Sequence, residues 1–296
     1  MTINRRRAPS SQISSQKKLS GHSKEQIYAE LIGAIVIKGT QKGDIKDKNG
    51  LLHSVKSGKK WQVFLYGYNR IAESINLNIL KKCLDAFPEK YHDYLKDREK
   101  CIGYKEKFIK DYGRDAAKRL SNEEVSKSIG SNLYVNSKIK LEKATLDVCE
   151  LLKDKKILRS FLDEAFFDNG KVNFLAIEDS TYKNDGIFKV FSREDVLNIF
   201  TQKLTPAVSI AGLVPEDFNI SGQKTLLRYQ KKDGKLKNIV EIEVRNDSDT
   251  HYRQARFNMY SKDALTLLLE KPDISSGKKM FANVIAYGKA AKEFEI

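Results

Sequence analysis

The sequence predicts a mixed α/β chain, on three observations. A helical pattern near the N-terminus is followed by two short strands about an Asn-Gly turn; a mostly helical stretch runs from Trp61 to about Asn169; and strand periodicity returns beyond Gly170. With 296 residues, 40% apolar content and five prolines, the chain has the composition of a folded protein of one large or two modest domains.

Ser23 and Gln26 have capping-box spacing, and Ile27, Leu31, Ala34 and Ile35 recur on one helical face, which predicts a helix over 24–35. Strands are expected over 43–48 and 51–57, with Lys48-Asn49-Gly50 as the turn between them. The central stretch suggests helices over 76–87, 104–120 and 141–167. Strands then follow at 172–177 and 187–191, and a helix at 192–204 opens on Ser192 and Asp195. Residues 225–230 and 239–245 predict a hairpin around Asp233-Gly234, with 252–260 as a third strand and 261–270 as a closing helix.

Cys83, Cys101 and Cys149 are odd in number and widely spaced, so neither a disulfide framework nor a zinc site is indicated, and a cytoplasmic setting is expected. His22, His92 and His251 have no ligand spacing. No apolar run is long enough for a membrane span, and the N-terminus has no apolar signal core.

The net charge of +15 is localised. Residues 1–24 hold six basic residues and no acid, 36–60 hold seven lysines and two aspartates, and 224–262 hold ten Lys and Arg against five acids. Such segments suit a polyanion, because cations near phosphates release condensed counterions.

The stretch from Gly43 to Gly58 carries the candidate chemistry. If Lys48-Asn49-Gly50 forms a three-residue loop, Asp47 pairs with Leu51 and Asp44 faces Ser54, so Asp44, Ser54 and Lys56 share one face while Asp47 and His53 lie on the other. A two-residue loop would shift this register and separate Asp44 from Lys56. His53 then fits a structural or phosphate-contacting role better than catalysis. A carboxylate beside a lysine at a sheet edge suits Mg²⁺-assisted phosphodiester hydrolysis. Mg²⁺ favours a second anion, and Glu30, at the edge of the expected buried face of the first helix, is the candidate.

A helix with an acid, then Asp, then a hairpin into acid-x-Lys, then Gln-x-x-x-Tyr, resembles the PD-(D/E)XK nuclease superfamily. The matching residues are Glu30, Asp44, Ser54-Val55-Lys56 and Gln62 through Tyr66. Ser54 departs from the pattern, standing where the family has Asp or Glu. The resemblance implies a mixed central sheet flanked by helices, Asp44, Glu30 and the Val55 carbonyl as Mg²⁺ ligands, Lys56 near the attacking water, and Gln62 and Tyr66 in support. By length and the basic C-terminal part the chain looks like a type II restriction endonuclease. That implies double-stranded DNA as substrate, a homodimer, and a cognate DNA methyltransferase in the same cell. The expected organisation is a basic disordered arm (1–22), a first part of the core (23–70), a helical insertion (71–170), a second part of the core (171–205) and a basic, β-rich recognition region (206–296).

Lys42, Lys59 and Lys60 are expected on the DNA backbone. Arg245 is expected on a DNA-facing strand, and Tyr252, Arg253, Gln254, Arg256 and Asn258 either contact DNA or form a solvated edge strand, since Arg suits guanine and Gln or Asn adenine. The rival readings are a non-catalytic DNA- or RNA-binding protein and a repair-type nuclease with the same site.

Overall fold

Helix α1 (residues 23–32) stops where Gly33 takes φ +63°, a left-handed backbone that glycine adopts without strain. Ile35 therefore leaves the expected helix and enters a short strand, β1 (Ile35–Val36). The buried residues of α1 are Tyr28, Ala29 and Ile32, whereas Ile27 is 40% exposed, so the apolar stripe is rotated from the expected one. The computed structural model describes residues 23–37, 42–117, 119–130, 133–179, 186–209 and 223–294, and the expected basic arm lies outside them.

Strands β2 (Ile45–Lys46) and β3 (Leu52–Lys56) form the expected hairpin. Ile45 pairs with His53 and Lys46 with Leu52, and Gly50 takes φ +83°. Next comes β4 (Trp61–Tyr66), where the sequence predicts helix. The helical stretch then contains α2 (Tyr68–Glu73), α3 (Lys81–Asp85), α4 (Tyr91–Tyr112), α5 (Arg114–Ala117), α6 (Asn122–Ile129), α7 (Leu133–Leu151) and α8 (Lys155–Phe167). β5 (Phe174–Glu178), β6 (Phe188–Ser192) and α9 (Arg193–Lys203) follow as expected, and Ser192 Oγ caps α9 by accepting from Asp195 N at 3.1 Å. The C-terminal part holds β7 (Thr205–Ser209), β8 (Lys224–Gln230), β9 (Leu236–Arg245), β10 (Gln254–Met259), α10 (Ser261–Leu269), α11 (Pro272–Ser275), β11 (Lys278–Phe281), β12 (Val284–Tyr287) and α12 (Ala290–Glu293).

These strands form two sheets. The first, in the order β1-β2-β3-β5-β6-β12-β11, is mixed, with β3 parallel to β5 and β12 parallel to β6. The second, β4-β10-β9-β8-β7, is antiparallel throughout. The sheets do not follow the expected division of the chain. β4 pairs with β10 in the second sheet, where Phe64 stacks on Phe257 at 5.1 Å. β11 and β12, inside the expected recognition region, return to the first sheet, where Val284 and Ala286 are fully buried against β6.

One apolar core joins both sheets through α8 and α9. It contains Leu175, Ile177 and Phe191 of the first sheet, Val240, Ile242 and Phe257 of the second, and Phe161, Phe166 and Phe200 between them. A separate core lies on the opposite face of the first sheet, where Tyr28 and Ile32 of α1 and Phe294 pack on Val55, Phe174 and Val190. A buried polar chain docks α1 onto that face. His53 Nε2 lies 3.3 Å from Asp47 Oδ2, and its Nδ1 lies 3.0 Å from the Tyr28 hydroxyl. Because a carboxylate only accepts, Nε2 carries the proton and Nδ1 accepts from Tyr28. Asp47 Oδ1 also accepts from the Leu51 and Asn49 amides at 2.8 and 2.9 Å, closing the turn.

Phe257 is fully buried, with the rings of Phe64, Phe161 and Phe166 around it. Phe257→Ala is expected to lower unfolding free energy by about 3–5 kcal/mol, measured by urea denaturation. Burial lowers the His53 pKa to about 4, against the opposing pull of Asp47. The unfolded chain therefore takes up a proton near pH 6.5 that the folded chain refuses until about pH 4, so stability is lost as pH falls through that window. A pH-resolved NMR titration should show one imidazole silent above pH 5, and denaturation curves at pH 7 and pH 5 should show the loss.

Candidate active site

Alternation along β3 sends Ser54 and Lys56 to the face shared by Leu175 and Ile177, and sends His53 and Val55 to the α1 face. Asp44 lies opposite Ser54 and shares its face. Its Oδ2 accepts from Val55 N at 2.7 Å and from Ser54 Oγ at 3.2 Å, and lies 3.4 Å from Lys56 Nζ. Asp44, Ser54 and Lys56 are thus brought together. The Lys56 side chain is 9% exposed, and its ammonium sits over the Trp61 ring, 5.2 Å from the centroid. Trp61, at the start of β4 in a stretch the sequence predicts as mostly helical, supplies an aromatic wall beside the lysine.

Glu30 is not brought to this face. It is exposed on α1, which packs on the opposite side of the sheet, and its carboxylate accepts from Gln26 Nε2 at 2.9 Å. The expected second metal ligand is therefore corrected, the physical reason being the side on which α1 docks. Among the described residues no group of three or more His, Cys, Asp or Glu side chains could hold a metal ion.

A single Mg²⁺ can nonetheless be held by one carboxylate when water and substrate phosphate complete the shell. Asp44 Oδ1 has no hydrogen-bond partner among the described residues. The His53 carbonyl accepts from Asp44 N at 2.8 Å, so by alternation the Val55 carbonyl also points to the Asp44 edge. Asp44 Oδ1 and Val55 O fit a hard cation.

Gln62 and Tyr66 lie on β4 of the second sheet. Gln62 is exposed and faces Asn258 across the β4–β10 pair. Tyr66 carries Arg70 over its ring at 3.7 Å, and burial pushes its hydroxyl pKa up to about 12.

The structure engages most of the residues expected on DNA inside the chain. Lys42 donates to the Glu164 carbonyl and, at 2.7 Å, to the Ala165 carbonyl, closing the last turn of α8, and burial lowers its pKa to about 7. Arg245 forks onto Asp247 at 2.9 and 2.5 Å. Tyr252 donates to the Pro88 carbonyl at 2.8 Å, and Arg253 to the Leu84 carbonyl and Asp85, each at 3.2 Å. Gln254 donates to the Thr250 carbonyl at 2.8 Å.

Arg256 pairs with buried Glu243, and Asn258 is 5% exposed with its Nδ2 unpartnered among the described residues. Lys60 reaches Glu241 at 2.6 Å, whereas Lys59 is exposed. Glu241 and Glu243, both buried, share one face of β9 and are bridged by Lys224 at 3.1 Å from each. Burial pushes the Glu241 carboxyl up, but Lys60 and Lys224 outweigh it and hold the group below the usual range.

The sequence matches no protein-family model, and neither a curated protein nor a solved structure is significantly similar to it.

Proposed function

We propose that the chain is a Mg²⁺-dependent nuclease that cuts double-stranded DNA at specific sites, in the manner of a PD-(D/E)XK type II restriction endonuclease. The observation that carries this reading is the convergence of Asp44, the Val55 backbone and Lys56 at the β2–β3 hairpin of the first sheet, with one Asp44 oxygen left without a partner among the described residues. A bound Mg²⁺ would polarise the scissile phosphate and acidify a water. Asp44 would hold that charge, its Oδ2 fixed by Val55 N while Oδ1 is left without a partner among the described residues. The Lys56 ammonium orients the attacking water and offsets charge growing on the phosphate. Trp61 shields one side of the lysine from solvent.

A non-catalytic nucleic-acid-binding protein is the second reading, favoured by the single carboxylate and by Ser54 in the acid position.

Incubation with plasmid and Mg²⁺ separates the readings: discrete fragments for a restriction enzyme, random nicks for a repair-type nuclease, retarded but intact DNA for a binding protein. Asp44→Ala and Lys56→Ala are each expected to reduce cutting by at least about 10²-fold, the scale of losing one electrostatic contact to the transition state. DNA affinity should stay within about three-fold, since it comes from the spread of cations. Undiminished cutting by both variants would rule out this site.

A further inference from the structure

We propose that a cleft of about 490 Å³ at the β8–β9 turn binds phosphate oxyanions through Lys203, Lys231, Lys232 and Lys271. This inference does not rest on the nuclease reading. It follows from asking which cations of the basic C-terminal segment remain uncompensated once the chain has folded.

Of the ten basic residues in 224–262, five hold carboxylates: Lys224 with Glu241 and Glu243, Lys235 with Asp233, Arg245 with Asp247, Arg253 with Asp85 and Arg256 with Glu243. Arg228 donates to Asn238, a neutral partner. The other four, Lys231, Lys232, Lys237 and Lys262, reach no carboxylate at ion-pair distance among the described residues, although Lys231 feels the charge of Asp233, which Lys235 already holds. Of these four, Lys231 and Lys232 sit at the β8–β9 turn and line the cleft. They meet two lysines from elsewhere: Lys203 at the end of α9, and Lys271 just beyond α10, which donates to the neutral Gln202 at 2.8 Å. Tyr229, Leu267 and Pro272 also line the cleft. Its one lining carboxylate, Glu270, accepts the Tyr229 hydroxyl.

The charges decide the ligand. Four ammonium groups face one carboxylate and the C-terminal ends of two helices, each worth about half a negative charge, which leaves about +2 in the cleft. Gathering four like charges against so little internal counter-charge is unfavourable, and a phosphate group offers several acceptor oxygens to reaching lysines. The ligand is thus a phosphate-bearing anion, either the backbone of a nucleic acid or a free polyphosphate. Arg245 and Arg256, on the strands the sequence marks as DNA-facing, are already neutralised by acids.

The test uses the full chain in chelator, so that nothing is cut, with three probes: a fluorescein-labelled DNA duplex, ATP and sodium tripolyphosphate. Binding is followed by anisotropy for the duplex and by calorimetry for the other two. The triple variant Lys203→Ala, Lys231→Ala, Lys232→Ala should weaken at least one probe by about ten-fold at 0.1 M salt. For the duplex it should also reduce the salt slope by about 2.7. Loss confined to the duplex identifies a nucleic-acid backbone, and loss of ATP or tripolyphosphate binding a free polyphosphate. Lys232→Glu alone, at an exposed position, should act in the same direction and guards against a folding defect in the triple variant. Arg245→Ala should change no affinity. The proposal is overturned if the lysine variants bind every probe as the unsubstituted chain does, if none of the probes binds that chain, or if Arg245→Ala weakens binding as much as the triple variant. Asp44→Ala should keep every probe within about three-fold, well short of the roughly ten-fold loss expected of the lysine variants, so a failed cleft and a failed nuclease site give different results.

Discussion

The register of the β2–β3 hairpin is the constraint on which the candidate site depends. A slip of one residue would send every side chain of β3 to the opposite face, since alternation has a period of two. What prevents the slip lies behind the sheet. Asp47, His53 and Tyr28 form a buried polar chain that is satisfied only when His53 faces α1, and moving His53 would take away the partner of Asp47 Oδ2 and of the Tyr28 hydroxyl. Gly50 supplies the left-handed backbone that a three-residue loop requires. The positions of Asp44 and Lys56 on the front are therefore fixed by chemistry on the back.

Much of this local geometry was legible in the sequence because its causes are local. The Asn-Gly turn, the Ser192 cap and the Asp233-Gly234 turn each lie within a few residues of what they organise. The failures have distant causes. Trp61–Tyr66 is a nearly unbroken apolar run whose strand character depends on β10, almost two hundred residues later. Glu30 sits on a helix whose period is readable but whose docking side is not, and that side decides whether its carboxylate can reach Asp44.

Charge was the least legible property. A run of arginines and lysines reads as a surface offered to a polyanion, but strand pairing sets Arg256 opposite Glu243 and Lys224 opposite the same glutamate. The folded chain consumes its own excess wherever acids and bases share a sheet face. Lys42 is a related case, since its burial against the end of α8 follows from tertiary contacts that no charge count contains.

Two lysine–aspartate pairs on one face of the first sheet show what separates a structural ion pair from a site with chemistry left in it. Lys189 holds Asp179 at 2.6 Å, and both side chains are nearly enclosed. That pair is tight and leaves little for a ligand. Lys56 is 9% exposed, yet its carboxylate is 3.4 Å away and bonds more closely to the Val55 amide. A largely desolvated ammonium held this loosely is a poor source of stability, because the cost of taking it from water is only partly offset by its partner. The Lys56 ammonium also lies over the face of Trp61. A group kept in such surroundings gains most when a second anion arrives beside it, and in the proposed reaction a phosphodiester drawn to Asp44 Oδ1 through a shared cation would deliver that anion to Lys56.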